Sequence, residues 1–148
     1  MKRTVLASVA AAALVAAPVT AFASGTQPPA PAKTEDITFV KHLTDLSSFT
    51  FQGNTAGAVH GQLTSQLLRY TAPSTDEYQF VEFRWTVASQ GKSFVAVTDG
   101  TLDTTTGVVA MTGTVTDGWH AGAEVLERGQ LIDPATYTFT GDIVLLVR

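Results

Sequence analysis

From Ile37 onward, apolar and polar positions alternate with a period of two, and turn residues break the alternation at intervals of about ten. The pattern predicts antiparallel sheet. It is clearest at the end of the chain, where Tyr137, Phe139, Gly141, Ile143, Leu145 and Val147 share one face and Thr136, Thr138, Thr140 and Asp142 the other. In the stretch from Glu77 to Ser89, Val81, Phe83, Trp85 and Val87 alternate with Tyr78, Phe80, Glu82, Arg84 and Thr86, so both faces carry large side chains. Thr, Val, Phe and Tyr stand where a helix would use Ala, Leu, Glu and Lys, and no segment carries an apolar stripe at helical spacing.

Gln90-Gly91, the run from Asp103 to Gly107, Asp117-Gly118 and Asp133-Pro134 supply turn chemistry between strand-like blocks. The predicted strands are Ile37 to Leu43, Phe49 to Gly53, Val59 to Tyr70, Glu77 to Ser89, Ser93 to Asp103, Val108 to Thr116, His120 to Ile132 and Tyr137 to Val147. Eight strands of about ten residues with short hairpins need roughly 110 residues, the length that residues 37–148 provide. The expected fold is all-β, a single antiparallel β-barrel of about eight strands, largely a meander, because closure removes the unpaired edges a flat sheet would expose. A β-sandwich is the alternative. An immunoglobulin-like sandwich has shorter strands, Greek-key crossings and a Cys and Trp signature that is absent here.

The first part of the chain follows a different pattern. Lys2 and Arg3 precede an apolar run from Val5 to Ala17, then Pro18 and Ala21-Phe22-Ala23, which reads as a Sec-type signal peptide over residues 1–23 cleaved after Ala23. The run is well short of the roughly 20 residues needed to cross a bilayer, so no membrane span is expected once it is removed. Residues 24–36 contain Pro28, Pro29 and Pro31 and no large apolar side chain, which predicts an extended Pro-rich linker before a barrel domain at residues 37–148. The expected destination is extracellular or periplasmic.

Charge and composition narrow the partners. The formal net charge of −4 becomes two units more negative without Lys2 and Arg3, and the remaining cations are scattered singly. A nucleic-acid surface needs a basic stripe, and anionic membranes need a basic cluster, so neither is an expected partner. The absence of cysteine excludes disulfides, a thiol nucleophile and a lipidated cysteine. The single asparagine, Asn54, is followed by Thr55-Ala56 and is no glycosylation acceptor, which together with the Ala-rich leader fits a bacterial exported protein.

Asp99-Gly100-Thr101-Leu102, Thr106-Gly107, Met111-Thr112-Gly113, Thr114-Val115-Thr116, Gly122-Ala123 and the closing run from Phe139 to Leu145 give the block from Phe80 to Leu146 a resemblance to the barrel group of allene oxide cyclases and dirigent proteins. The resemblance covers about half the chain after the leader. It implies an eight-stranded barrel around an apolar cavity, in a group where some members steer cyclisation or coupling of a reactive small molecule. No charged or hydroxyl motif matches residue by residue, so it implies no catalytic residues.

The candidate ligand-binding residues are Phe83, Trp85, Tyr137 and Phe139, with Glu82 or Arg84 as a charged anchor. Two apart on a strand, Glu82 and Arg84 would form a polar cavity floor if they faced inward. The register that costs less buries Val81, Phe83, Trp85 and Val87 and leaves this pair in solvent. Gly113, Ala123 and Gly141 are expected to leave room in the barrel. Glu124, Glu127 and Arg128 form a second charged cluster, expected as an exposed strand face because buried charges are rare. His120 and Glu124 would share a face as acid and base, although about 13 Å apart. The three histidines, His42, His60 and His120, have no metal-ligand spacing, and Asp99, Asp103 and Asp117 read as turn initiators rather than calcium ligands. No cofactor is expected.

These residues point to an exported, non-enzymatic barrel that binds a small apolar or amphipathic molecule. The alternatives are a barrel enzyme of cyclase or isomerase type and a structural or interaction module of the cell envelope.

Overall fold

Three of the turns open on an aspartate that accepts hydrogen bonds from the chain two or three residues ahead. Asp45 accepts from the Ser47 amide at 2.8 Å, Asp103 from the Thr105 and Thr106 amides at 2.8 and 3.0 Å, and Asp133 from the Ala135 amide at 2.9 Å. Each reverses the chain so that the next strand pairs with the last. In the computed structural model, which describes residues 32–71 and 78–148, the strands are β1 (Lys33–Asp45), β2 (Thr50–Gly57), β3 (Gly61–Thr71), β4 (Tyr78–Ala88), β5 (Phe94–Asp103), β6 (Val108–Gly118), β7 (Glu124–Asp133) and β8 (Thr138–Val147). There is no helix among the described residues.

Every strand pairs antiparallel with its successor, and β8 returns to pair with β1 from Lys33↔Val147 to Lys41↔Phe139. The sheet is a closed eight-stranded meander, as the alternation and turn spacing predict. The sandwich alternative is thereby excluded.

Strand ends differ from the sequence reading where pairing decides them. β1 begins at Lys33, not Ile37, because its first residues find partners along β8, so the end of the expected linker is strand. β2 runs on to Gly57 for the same reason, opposite Ile37. β7 begins at Glu124, because His120 to Ala123 belong to a tight turn in which the Ala121 and Ala123 amides bond to Gly118 and His120 carbonyls at 3.1 and 2.9 Å. The expected leader, its cleavage site and most of the linker lie outside the described residues.

One half of the barrel is filled. Ile37, Leu63, Val87, Val115, Val125, Ile143 and Leu145, all buried, interdigitate there. Beyond them the end is closed by Trp119, whose ring lies 5.0 Å from the Lys92 ammonium, while that ammonium donates to the Ala58 carbonyl at 2.8 Å. The other half, toward the β1–β2, β5–β6 and β7–β8 turns, is not filled by the described residues. Trp85, 1% exposed, lies between the two.

Candidate functional site

The inward faces of β1 and β7 each carry one buried charged residue among apolar ones. On β1 the buried positions are Ile37, Phe39 and Lys41, and on β7 they are Val125 and Glu127. Lys41 is 4% exposed and Glu127 2%, and their charged atoms meet inside the barrel with Nζ 3.6 Å from Oε1. The rarity of buried charges predicts an exposed face for Glu127. Strand parity overrides that expectation, because Glu127 shares the face of Val125 while Glu124, Leu126 and Arg128 point outward.

Around the pair the polar partners are few. The Thr98 hydroxyl accepts from Trp85 Nε1 at 3.2 Å and donates to Glu127 Oε2 at 3.4 Å. Lys41 Nζ donates to the Ser65 hydroxyl at 3.4 Å. Glu127 Oε1 has no hydrogen-bond partner among the described residues. The ammonium of Lys41 is otherwise enclosed by aromatic rings, with Nζ 3.8 Å from the centroid of Trp85, 4.9 Å from Phe83, 5.3 Å from Phe39 and 5.6 Å from Phe51.

Burial is the largest influence on both ionisable groups, and it disfavours charge. It holds Lys41 down to about 8 against the pull of Glu127, and lifts Glu127 up to about 7 against the pull of Lys41 and the Thr98 hydrogen bond. Near neutral pH, a neutral amine beside a protonated carboxyl is thus an accessible form of the pair. That form can donate and accept a proton.

Above this floor lies a cavity of about 290 Å³, walled by Phe39, Phe51, Phe83, Phe139, Val109 and Met111. The wall is held by edge-to-face contacts, with Phe51 5.9 Å from both Phe83 and Phe139. Phe49, Tyr70 and Tyr137 line its mouth while standing 42, 59 and 52% exposed. A bulge between Leu67 and Arg69 shifts the parity of β3, which brings Tyr70 rather than Arg69 to the lining.

Phe49 and Tyr137 reach the mouth at a backbone cost. They end the β1–β2 and β7–β8 turns with φ of 45° and 48°, the left-handed region that Gly107 occupies at 75° in the corresponding β5–β6 turn. Where one turn uses glycine without strain, two use an aromatic residue. Strained positions of this kind cluster at functional sites.

Of the sequence-predicted binding residues, Phe83, Tyr137 and Phe139 line the cavity and Trp85 forms its floor. Glu82 and Arg84 do not reach it. Glu82 pairs with Arg69 at 2.9 Å on the outside of the barrel and Arg84 is exposed, because β4 adopts the register that buries Val81, Trp85 and Val87. Glu124 also faces outward, so it forms no acid and base face with His120. Gly113 and Gly141 leave no open space, since a Cβ there would stand 2.0 Å from the carbonyl oxygens of Val97 and Arg128. Gly129 is the glycine of the lining, and a Cβ there would come into ordinary contact with Phe39 and Val109 at 3.4 and 3.6 Å.

Lys41 escaped the sequence reading altogether. The signal was present, since Lys41 falls on the apolar parity of Ile37, Phe39 and Leu43. His42 and His60 are exposed, and no group of three metal-ligating side chains occurs among the described residues. Nor does any helix there have the length and apolarity to cross a membrane.

The sequence matches no protein-family model. It matches no curated protein either.

Proposed function

We propose that this protein binds a small, mainly apolar molecule inside its barrel, with one polar group of the ligand set against Lys41 and Glu127. The observation that carries this reading is the asymmetry of the interior. The same barrel that packs one half solid with Ile, Val and Leu keeps a cavity of about 290 Å³ in the other, close to the lower bound of roughly 300 Å³ for small-molecule sites. Empty apolar volume destabilises a core, so a cavity walled by aromatic rings and opening between Phe49, Tyr70 and Tyr137 is better explained by an occupant. Glu127 Oε1, which accepts no hydrogen bond from the described residues, favours a ligand carrying a hydrogen-bond donor, or a group that accepts a proton from it.

Titration with cinnamyl alcohol, followed by tryptophan fluorescence, tests the reading. Trp85 forms the floor and Trp119 sits at the closed end, so a saturable change is expected in the wild type and none from Trp85 in a Trp85→Phe variant. Absence of saturable binding by this and similar small aromatics counts against the proposal.

A second reading has one observation behind it. Glu127 is a desolvated carboxyl facing the cavity, which a cyclase or isomerase of the kind implied by the resemblance would require. Chemical change in a bound ligand, lost in Glu127→Gln, would separate enzyme from binder. We further propose that the chain is exported through residues 1–23, for which a mature N-terminus at Ser24 in the extracytoplasmic fraction is the test.

A further inference from the structure

The polar floor contains a nucleophile. Lys41 is the one lysine that lines the cavity; Lys33 and Lys92 lie toward the closed end, and Lys2 is outside the described residues. Its Nζ has Ser65 and Glu127 as polar neighbours and aromatic faces elsewhere. An amine in such a place is dry, held in position, and within 3.6 Å of a carboxyl oxygen, Oε1, that accepts no hydrogen bond from the described residues. Amine, acid and an apolar cavity above them are the components that a carbonyl compound needs in order to condense with lysine.

We infer that Lys41 captures an aldehyde or ketone ligand in the barrel as a Schiff base, with Glu127 as the acid that removes the carbonyl oxygen. The inference rests on the proposed binding function and names the polar group of the ligand as a carbonyl.

In the reactive form Lys41 is a free amine and Glu127 a carboxylic acid. The Nζ lone pair attacks the carbonyl carbon, the π electrons move to oxygen, and transfer of one Nζ proton to that oxygen through the Glu127 carboxyl gives a carbinolamine. Glu127 then protonates the carbinolamine hydroxyl, the C–O bond breaks, and water leaves as the Nζ lone pair forms C=N. The products are a protonated imine on Lys41, a Glu127 carboxylate and one water, with no oxidant or reductant consumed. Charge is conserved in the site. The cation created at Nζ lies in the same aromatic enclosure and beside the same carboxylate that suit the ammonium, 3.8 Å from the Trp85 centroid and 3.6 Å from Oε1.

The depressed affinity of Lys41 for its proton supports this. A lysine lowered from 10.5 to about 8 has a free-amine fraction at pH 7 raised by two to three orders of magnitude. The Thr98 hydrogen bond to Oε2 holds the carboxyl while Oε1 remains available for the reacting oxygen.

Reductive trapping tests the inference. The full protein is incubated at pH 7 with one equivalent of cinnamaldehyde and cyanoborohydride, and the adduct is located by peptide mass spectrometry. The expected result is a reduced cinnamyl group on Lys41 in at least about tenfold excess over Lys33 and Lys92, and no such adduct in Lys41→Arg. Glu127→Gln is expected to slow trapping by about a hundredfold at saturating cinnamaldehyde, where a change in affinity no longer limits the rate. If Lys41→Arg fails to fold, the site of labelling in the wild type and the Glu127→Gln rate still decide. Saturable cinnamyl alcohol binding without an adduct on Lys41 overturns the Schiff base and leaves the binding function standing. Equal labelling of all lysines overturns it too, and failure of both alcohol and aldehyde to bind overturns the binding function itself.

Discussion

Lys41 and Trp85 face each other across the middle of the barrel, with the lysine Nζ 3.8 Å from the centroid of the indole ring. Trp85 therefore serves two sides of the interior. One part of it closes the filled half, with Phe39 edge-on at 5.1 Å, and its Nε1 leads through Thr98 to Glu127, the partner of Lys41. The indole holds the cation by its face and the anion through its N–H, which ties β1, β4, β5 and β7 together at the base of the cavity.

That arrangement makes the ion pair sensitive to removal of either member. Lys41→Met leaves a buried carboxyl without its counter-charge, and a loss of about 3–5 kcal/mol is expected in denaturant unfolding. The double variant Lys41→Met with Glu127→Leu is expected to return to within about 1 kcal/mol of the wild type or to exceed it, since a well-packed apolar pair replaces two desolvated charges. A double variant less stable than the single one would show that the pair contributes net stability.

The same burial gives the pair a pH signature. Glu127 is raised from 4.5 to about 7, so in that interval the folded chain holds a proton the unfolded chain has lost, and its contribution to stability falls as pH rises. Lys41 is lowered from 10.5 to about 8, so between those values the unfolded chain holds a proton the folded chain has released, and its contribution rises with pH. Among the described residues Lys41 and Glu127 are the buried charged side chains, with Ser65 and Thr98 as their hydroxyl neighbours and Tyr70 and Tyr137 at the mouth. The difference in unfolding free energy between the wild type and the double variant should pass through a minimum near pH 7–8, with limbs no steeper than about 1.4 kcal/mol per pH unit. A flat difference across the range would sink the assignment.

Filling the cavity should separate binding from folding. Val109 lies in the wall, 7% exposed, beside Gly129. Val109→Phe is expected to weaken cinnamyl alcohol binding by at least about tenfold, the scale on which added carbon atoms obstruct an apolar pocket. Thermal unfolding should show stability kept or raised, because the new ring occupies a void.

The strained aromatics at the mouth predict an uncoupling in the other direction. Tyr137→Gly relieves a left-handed conformation worth about 1–2 kcal/mol, offset by the roughly 0.5–1 kcal/mol that glycine adds to the freedom of the unfolded chain. Little packing is lost from a side chain 52% exposed. Stability within about 1 kcal/mol of the wild type, with weaker cinnamyl alcohol binding, is the expected pair of results from calorimetric and fluorescence titrations. Unchanged affinity would remove Tyr137 from the site.

Much of the barrel is legible along the chain because it is made of local instructions. Period-two alternation in β4 and β8 states which side chains turn inward, and the aspartates at 103 and 133 state where the chain reverses. Closure, left open against a sandwich by the strand pattern, is decided by the pairing of β8 with β1. The aromatic wall was partly visible, since Phe83 and Phe139 lie on inward faces that any strand reading reveals. Strand ends were less legible. Lys33 is strand only because Val147 lies opposite, a pairing across nearly the whole sequence.

The alternation along the chain is enough to make it a β-meander with an inward and an outward face on each strand, because side-chain direction follows residue parity wherever no bulge intervenes. It also carried the anomaly that matters, a lysine and a glutamate on inward parity in β1 and β7. What it did not determine is that these two meet. β1 and β7 are separated by β8 in the sheet and are not bonded to each other; only closure of the barrel brings their inward faces together across the interior. The tertiary structure likewise decided that one half is filled and the other hollow, since volume is a property of eight faces at once and of no strand alone.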